Sequence, residues 1–113
     1  MREGGARTQV SATLHGNLKL VQVDQVRYFR AEHKYVTARH PNGELVLDDA
    51  LSALQQEFGS RFLRVHRNAL AAVAHIRGLE RDAGGRHCLA FDGVEDRLEI
   101  SRRMLSKVRK ALR

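Results

Sequence analysis

The chain has 113 residues, 42% of them hydrophobic, and carries a net charge of +7 with a pI near 10.5. That length fits one domain, and that hydrophobic content excludes a disordered chain. No apolar run approaches the ~20 residues of a membrane span or resembles a signal peptide, and a single cysteine, Cys88, allows no internal disulfide, which favours a reducing, cytoplasmic setting.

The charge is one-sided. Residues 1–60 hold seven Lys/Arg against seven Asp/Glu, whereas residues 61–113 hold thirteen against six. An excess confined to one half points to a polyanion, most often nucleic acid; a basic domain with no such partner is the plainer alternative.

In chain order, residues 1–8 contain Gly4-Gly5 and no periodic hydrophobes and read as a flexible lead-in or linker remnant, leaving 9–113 for the domain. Val10, Ala12 and Leu14 alternate with polar residues and predict a strand, His15-Gly16-Asn17 a turn, and Leu18 to Val23 a second strand. Val26 to Glu32 and Tyr35 to His40 are rich in strand formers, with a short polar loop, Glu32-His33-Lys34, between them. Pro41-Asn42-Gly43 is a turn, and Glu44 to Leu47 the returning strand. Asp48-Asp49 is expected to cap a helix of about ten residues whose apolar face is Leu47, Leu51, Leu54 and Phe58, closed by Gly59. Arg61 to Asn68 interleaves hydrophobes with Arg64, Arg67 and Asn68, and Leu70 to Ile76 is small and apolar, as for a segment crossing a core. Further strands are expected over 77–81, 86–91 and 97–100, separated by turns at Asp82-Ala83-Gly84-Gly85 and Asp92-Gly93.

Ser101 is expected to cap a last helix with Met104, Leu105, Val108 and Leu112 on its apolar face. Arg109 to Arg113 suit the negative end of a helix, but Arg102 and Arg103 lie in the first turn, where the helix dipole disfavours cations. A broken local rule at such a point hints at function. The chain is therefore mainly β, with seven to ten short strands and two short helices.

Several chemistries are absent from the pattern. The histidines lack the spacing of a metal site, and one cysteine excludes a thiolate-rich zinc site, so no metal or cofactor is expected. His87 and Cys88 are neighbours on a strand and point to opposite faces, which disfavours a nucleophile pair and, with it, an enzyme. No Gly-rich phosphate loop is present, and the two helices lie too far apart for a helix-turn-helix. If the chain reads DNA, it does so from loops, strands or the edge of the last helix. Arginine offers a flat fork to guanine edges and phosphates, and asparagine pairs two-fold with adenine.

From about Leu18 to Leu112 the chain resembles the LytTR DNA-binding domain, of the type at the C-terminus of AlgR-like bacterial response regulators. The resemblance is carried by Val26-Arg27-Tyr28-Phe29, His33-Lys34-Tyr35-Val36, Leu51-Ser52-Ala53-Leu54, the run Phe62 to Leu70, Ile76, and Ile100-Ser101-Arg102-Arg103. It departs at Ala71-Ala72, where many members carry Val-Asn. The resemblance implies short antiparallel sheets packed side by side, loops placed into successive major grooves, and a bent duplex. It implies DNA contacts from His33-Lys34, from Arg67-Asn68 and from Arg102-Arg103. Arg67 and Arg103 would meet base edges, and Lys34 and Arg102 would grip phosphate or share both tasks. Asn68 either reads adenine or stabilises its turn, Arg64 is either a phosphate contact or a solvated strand residue, and His66 is expected to bond within the fold.

The function implied is sequence-specific double-stranded DNA binding in transcriptional regulation, as the output domain of a two-component response regulator. An upstream receiver domain in the parent protein and two copies on a repeated site would go with it. A module that docks an acidic protein through its basic face is the rival. A single-stranded RNA binder is weaker, because the few aromatics fall at expected core positions and leave few stacking platforms.

Overall fold

The computed structural model describes residues 6–113. Ten strands form three antiparallel sheets, accompanied by two α-helices. Strands β1 (Gln9–Leu14) and β2 (Asn17–Gln22) make a separate hairpin. The central sheet has five strands in the order β5 (Gly43–Leu47), β4 (Tyr35–His40), β3 (Tyr28–Glu32), β7 (Ala69–Ala72), β6 (Phe62–His66). The third sheet has the order β10 (Arg97–Glu99), β9 (His87–Phe91), β8 (Ile76–Arg81). Helix α1 spans Leu51–Phe58 and α2 spans Arg102–Ala111. Among the described residues no helix is long and apolar enough to cross a membrane.

The central sheet is covered on both faces, and its sequence shows why. Successive strand residues point to opposite sides. Phe29, Leu70 and Ala72 face one core with Val10 of the hairpin and Leu51, Leu54 and Phe58 of α1. Tyr28, Ala69 and Ala71 face a second core with Leu89, Phe91 and Leu98 of the third sheet and Val108 of α2. Every residue of β7 is buried. Its alanines, the Ala71-Ala72 departure included, suit a strand closed in from both sides.

Aromatic side chains seal the first core. Phe29 lies 4.9 Å from Phe62 and 6.0 Å from Phe58, centroid to centroid. Such pairs add about 0.5–1.5 kcal/mol beyond their buried area. The buried Arg27 joins the central sheet to the third. Its Nη2 and Nε donate to Asp92 Oδ1 and O at 2.8 and 2.9 Å, and Nη1 donates to Gln25 O at 2.7 Å.

Several expectations are corrected. Asp48 does not cap α1: the N-cap residue is Ala50, with no side-chain cap, and Asp49 instead accepts from Arg7 at 2.8 Å. Leu47 ends β5 rather than lying on α1, although it shares the same core. Ser101 occupies the N-cap of α2, but its hydroxyl makes no capping bond. The apolar run from Leu70 breaks after Ala72 into a 3-10 turn, Val73–His75, before β8 begins. Val26 and Arg27 precede β3 instead of opening it, because a 3-10 turn over Val23–Gln25 turns the chain there.

Residues 1–5 of the expected lead-in lie outside the described residues. From Arg7 onward the chain is tied down. Arg7 makes two side-chain bonds to Glu57, at 2.7 and 2.9 Å, and the carbonyl of Thr8 accepts from Val23 N.

Candidate nucleic-acid interface

The run from Phe62 to Ala69 builds its own turn. Phe62 and Val65 are buried in opposite cores, which anchors β6 from both sides. The register with β7 slips between Arg64, opposite Leu70, and His66, opposite Ala69, so Val65 is an extra residue that bulges. A bulge bends its strand and re-aims the next side chains. In this strand those are Arg67 and Asn68, exposed at the tip.

The backbone of this tip is held at four points. Arg64 donates from Nε to His66 O at 2.9 Å, from Nη1 to Gln55 Oε1 of α1 at 2.6 Å, and from Nη2 to Arg67 O. His66 Nδ1 accepts the Asn68 N–H at 3.2 Å, a bond within the fold. Asn68 O accepts from Ala31 N of β3 at 2.8 Å. The structure thus gives half-buried Arg64 a bracing role that neither of its two expected roles described. Asn68 stabilises the turn through its backbone, and no hydrogen bond among the described residues engages its side chain.

That bond to Ala31 locates the second turn. β3 and β7 run antiparallel, with Arg30 opposite Ala69, so the start of β7 lies beside the end of β3. The β3–β4 turn, His33-Lys34, is just beyond, and Glu32 and Tyr35 pair at its base. His33 has φ of 56°, a conformation that costs a non-glycine residue roughly 1–2 kcal/mol and that histidine tolerates better than most. His33 and Lys34 are both exposed.

The third point is set by β6. Ser101 N donates to Val65 O at 3.0 Å, which places the first turn of α2 beside the bulge. Arg102 and Arg103 project there, both exposed. The segments that carry Lys34, Arg67 and Arg103, far apart along the chain, are thus brought next to one another through β3, β7 and β6. No hydrogen bond or ion pair among the described residues engages the side chains of Lys34, Arg67, Arg102 or Arg103. Arg7, Arg27, Arg39 and Arg97 are neutralised by Asp or Glu elsewhere. Lys34, Arg67, Arg102 and Arg103 are thus among the cations that no carboxylate of the described residues neutralises.

Two basic residues beside these segments were not singled out from the sequence. Arg86, on the β8–β9 turn, lines with Arg102 a recess of ≈290 Å³ whose lining also includes His87 and Glu99. Arg30 lines a second recess beside the Arg67-Asn68 turn. Strand periodicity marks Arg30 only as one polar position among many.

The remaining titratable groups bear on the scaffold. Arg39, then Tyr28, hydrogen-bond to Asp96 and hold its carboxyl below the usual range. Burial, then the bond to Asp96, pushes the Tyr28 phenol above its ordinary value. Cys88 is buried, which pushes its thiol up. Its sulfur lies 3.9 Å from Asp82 Oδ2, while the ring of His87 faces Arg109, so the neighbours do point apart.

Fold and surface together define a mainly β module with exposed arginine and lysine on two turns and at the start of α2. The chain belongs to the LytTr DNA-binding domain family, whose pattern matches residues 16–113. It is 43% identical over 109 residues to the positive alginate biosynthesis regulatory protein of Pseudomonas aeruginosa, an alignment covering 96% of this chain and 44% of that protein. The chain thus spans less than half the length of that curated relative. Its fold matches, with a TM-score of 0.82 and 21% identity, the LytTr DNA-binding domain of a Bacillus cereus protein described as a methyl-accepting/DNA response regulator, covering 95% of this chain and 98% of that one.

Proposed function

We propose that this domain binds a specific double-stranded DNA site in transcriptional regulation, as the output domain of a response regulator. Arg67 and Arg103 meet base edges, Lys34 and Arg102 grip phosphate, and His33 and Asn68 flank them. What supports this reading is that two backbone bonds, Ala31 N–H to Asn68 O and Ser101 N–H to Val65 O, bring the Arg67-Asn68 turn next to the end of β3 and the start of α2. A single module of this size covers about 600–1,000 Å² on DNA, which favours two copies on a repeated site. The relative's greater length supports an additional, receiver-type domain in the parent protein.

The test begins with selection of a site from genomic fragments, then titrates that duplex and a scrambled one by fluorescence anisotropy. Arg67→Ala and Arg103→Ala should melt like wild type and each lose about 1–3 kcal/mol on the selected site, with a smaller loss on the scrambled duplex. Wild-type binding by both variants would remove the site assignment. Capture of acidic proteins without any duplex binding at moderate salt would favour the docking module.

A further inference from the structure

Three of the less exposed arginines have every side-chain nitrogen engaged. Arg27, Arg39 and Arg64 each spend at least three donors on carboxylates or carbonyls. Arg30 is different. Its one polar partner is Glu32, with Nη2 3.3 Å from Oε1. Its guanidinium carbon sits 5.6 Å over the ring of Tyr28. Its Nε is buried and has no acceptor. A buried donor left unpaired is costly and calls for an explanation.

The place of Arg30 supplies one. Its backbone is locked in the middle of the sheet, opposite Thr37 on one side and Ala69 on the other. The Tyr28 ring beneath it is itself held by a 2.9 Å bond from its hydroxyl to Asp96. Only the end of the side chain is free to move. It lines a recess of ≈230 Å³ between β3 and the Arg67-Asn68 turn, along with Glu32, His66, Asn68 and Glu99.

We propose that Arg30 is a further DNA-contacting side chain, held by Glu32 in the free domain and released to an acceptor atom of the duplex on binding. This rests on the DNA-binding function proposed for the domain. The Arg30–Glu32 pair is long and partly exposed, with side chains 34% and 56% accessible, so it is weak and readily exchanged. The exchange breaks the pair with Glu32, so Glu32 restrains binding by competing with the duplex for Arg30.

The experiment uses wild type, Arg30→Gln, Glu32→Gln and the double variant, titrated against the selected and the scrambled duplex at two salt concentrations. Arg30→Gln should weaken binding roughly tenfold, the scale of one charged hydrogen bond. Glu32→Gln should tighten binding roughly threefold in the wild-type background and not at all with Arg30→Gln, since its effect runs through Arg30. Equal loss on both duplexes with a shallower salt dependence identifies a phosphate acceptor. Loss confined to the selected site identifies a base edge. In parallel, the Arg30 Nε–H resonance of the unmutated domain should shift and exchange more slowly with water when duplex is added, a readout independent of how the variants fold. An unchanged resonance, or a Glu32→Gln gain that persists without Arg30, overturns the proposal. Wild type that binds the selected site alongside an equally tight Arg30→Gln variant overturns this proposal alone, whereas wild type that binds no duplex overturns the DNA reading with it.

Discussion

The guanidinium of Arg64 donates to the main-chain carbonyl of Arg67, three residues further on, so one arginine of the run sets the backbone from which the other projects. The same side chain reaches Gln55 of α1, a helix without a basic residue. α1 thus supports the turn through a neutral side chain. Arg64→Ala should weaken binding to the selected site about tenfold, in line with the net loss of one to two hydrogen bonds to a charged group. Arg64→Lys should recover little, because an ammonium cannot span three acceptors set around a planar fork. Faster amide exchange at Asn68 in both variants would separate a loosened turn from a lost DNA contact. Unchanged exchange with unchanged affinity would mean the brace is idle.

Lys34 is a point charge on a tight hairpin, and its contribution should not depend on base sequence. For Lys34→Ala we expect equal losses on selected and scrambled duplexes. The slope of log affinity against log salt should fall by about 0.9, the value for one phosphate. A loss restricted to the selected duplex would reassign Lys34 to base reading.

Gly93 tests the joint between the central and third sheets. Its φ is +75°, and a Cβ built there would lie 2.7 Å from Arg27 Nη2, the atom that donates to Asp92. Gly93→Ala should cost about 1–3 kcal/mol, combining an unfavourable left-handed conformation with displacement of a buried guanidinium. Urea unfolding measures this directly. A variant as stable as wild type would show that Arg27 moves aside freely.

The Asp96 carboxyl contributes in a defined pH window. Arg39 and Tyr28 hold it below its ordinary value of 3.8. A depressed carboxyl stabilises the fold fully above that ordinary value and loses its effect as pH falls through the lower, folded-state value. Asp96→Asn should therefore melt lower than wild type at neutral pH, and the gap should narrow below about pH 4. A gap that stays constant from neutral to strongly acidic pH would show that the ionised carboxylate is not what matters.

Local patterns in the chain were enough for most elements, because they depend on neighbours in sequence. Alternation predicted β1 and β9, a run of strand formers predicted β4, Gly59 closed α1, and the spacing of Met104, Leu105, Val108 and Leu112 predicted α2. The misplaced features share a cause. Asp48-Asp49 satisfied the local rule for a cap, but Asp49 was taken by Arg7, 42 residues away. Leu70 to Ile76 had the composition of one continuous crossing, yet the chain turns after Ala72 to begin another sheet.

For the interface, the sequence by itself determined the residue types and the three segments that carry them: His33-Lys34, Arg67-Asn68 and Arg102-Arg103. Only the tertiary structure decided that these lie together, since their proximity depends on β3 pairing with β7 and on Ser101 bonding to Val65. It also decided which arginines are free. Arg27, Arg30, Arg64 and Arg67 look alike in one dimension. Whether each guanidinium is spent depends on acceptors that distant segments bring within about 3 Å, a range too short for composition or period to reveal.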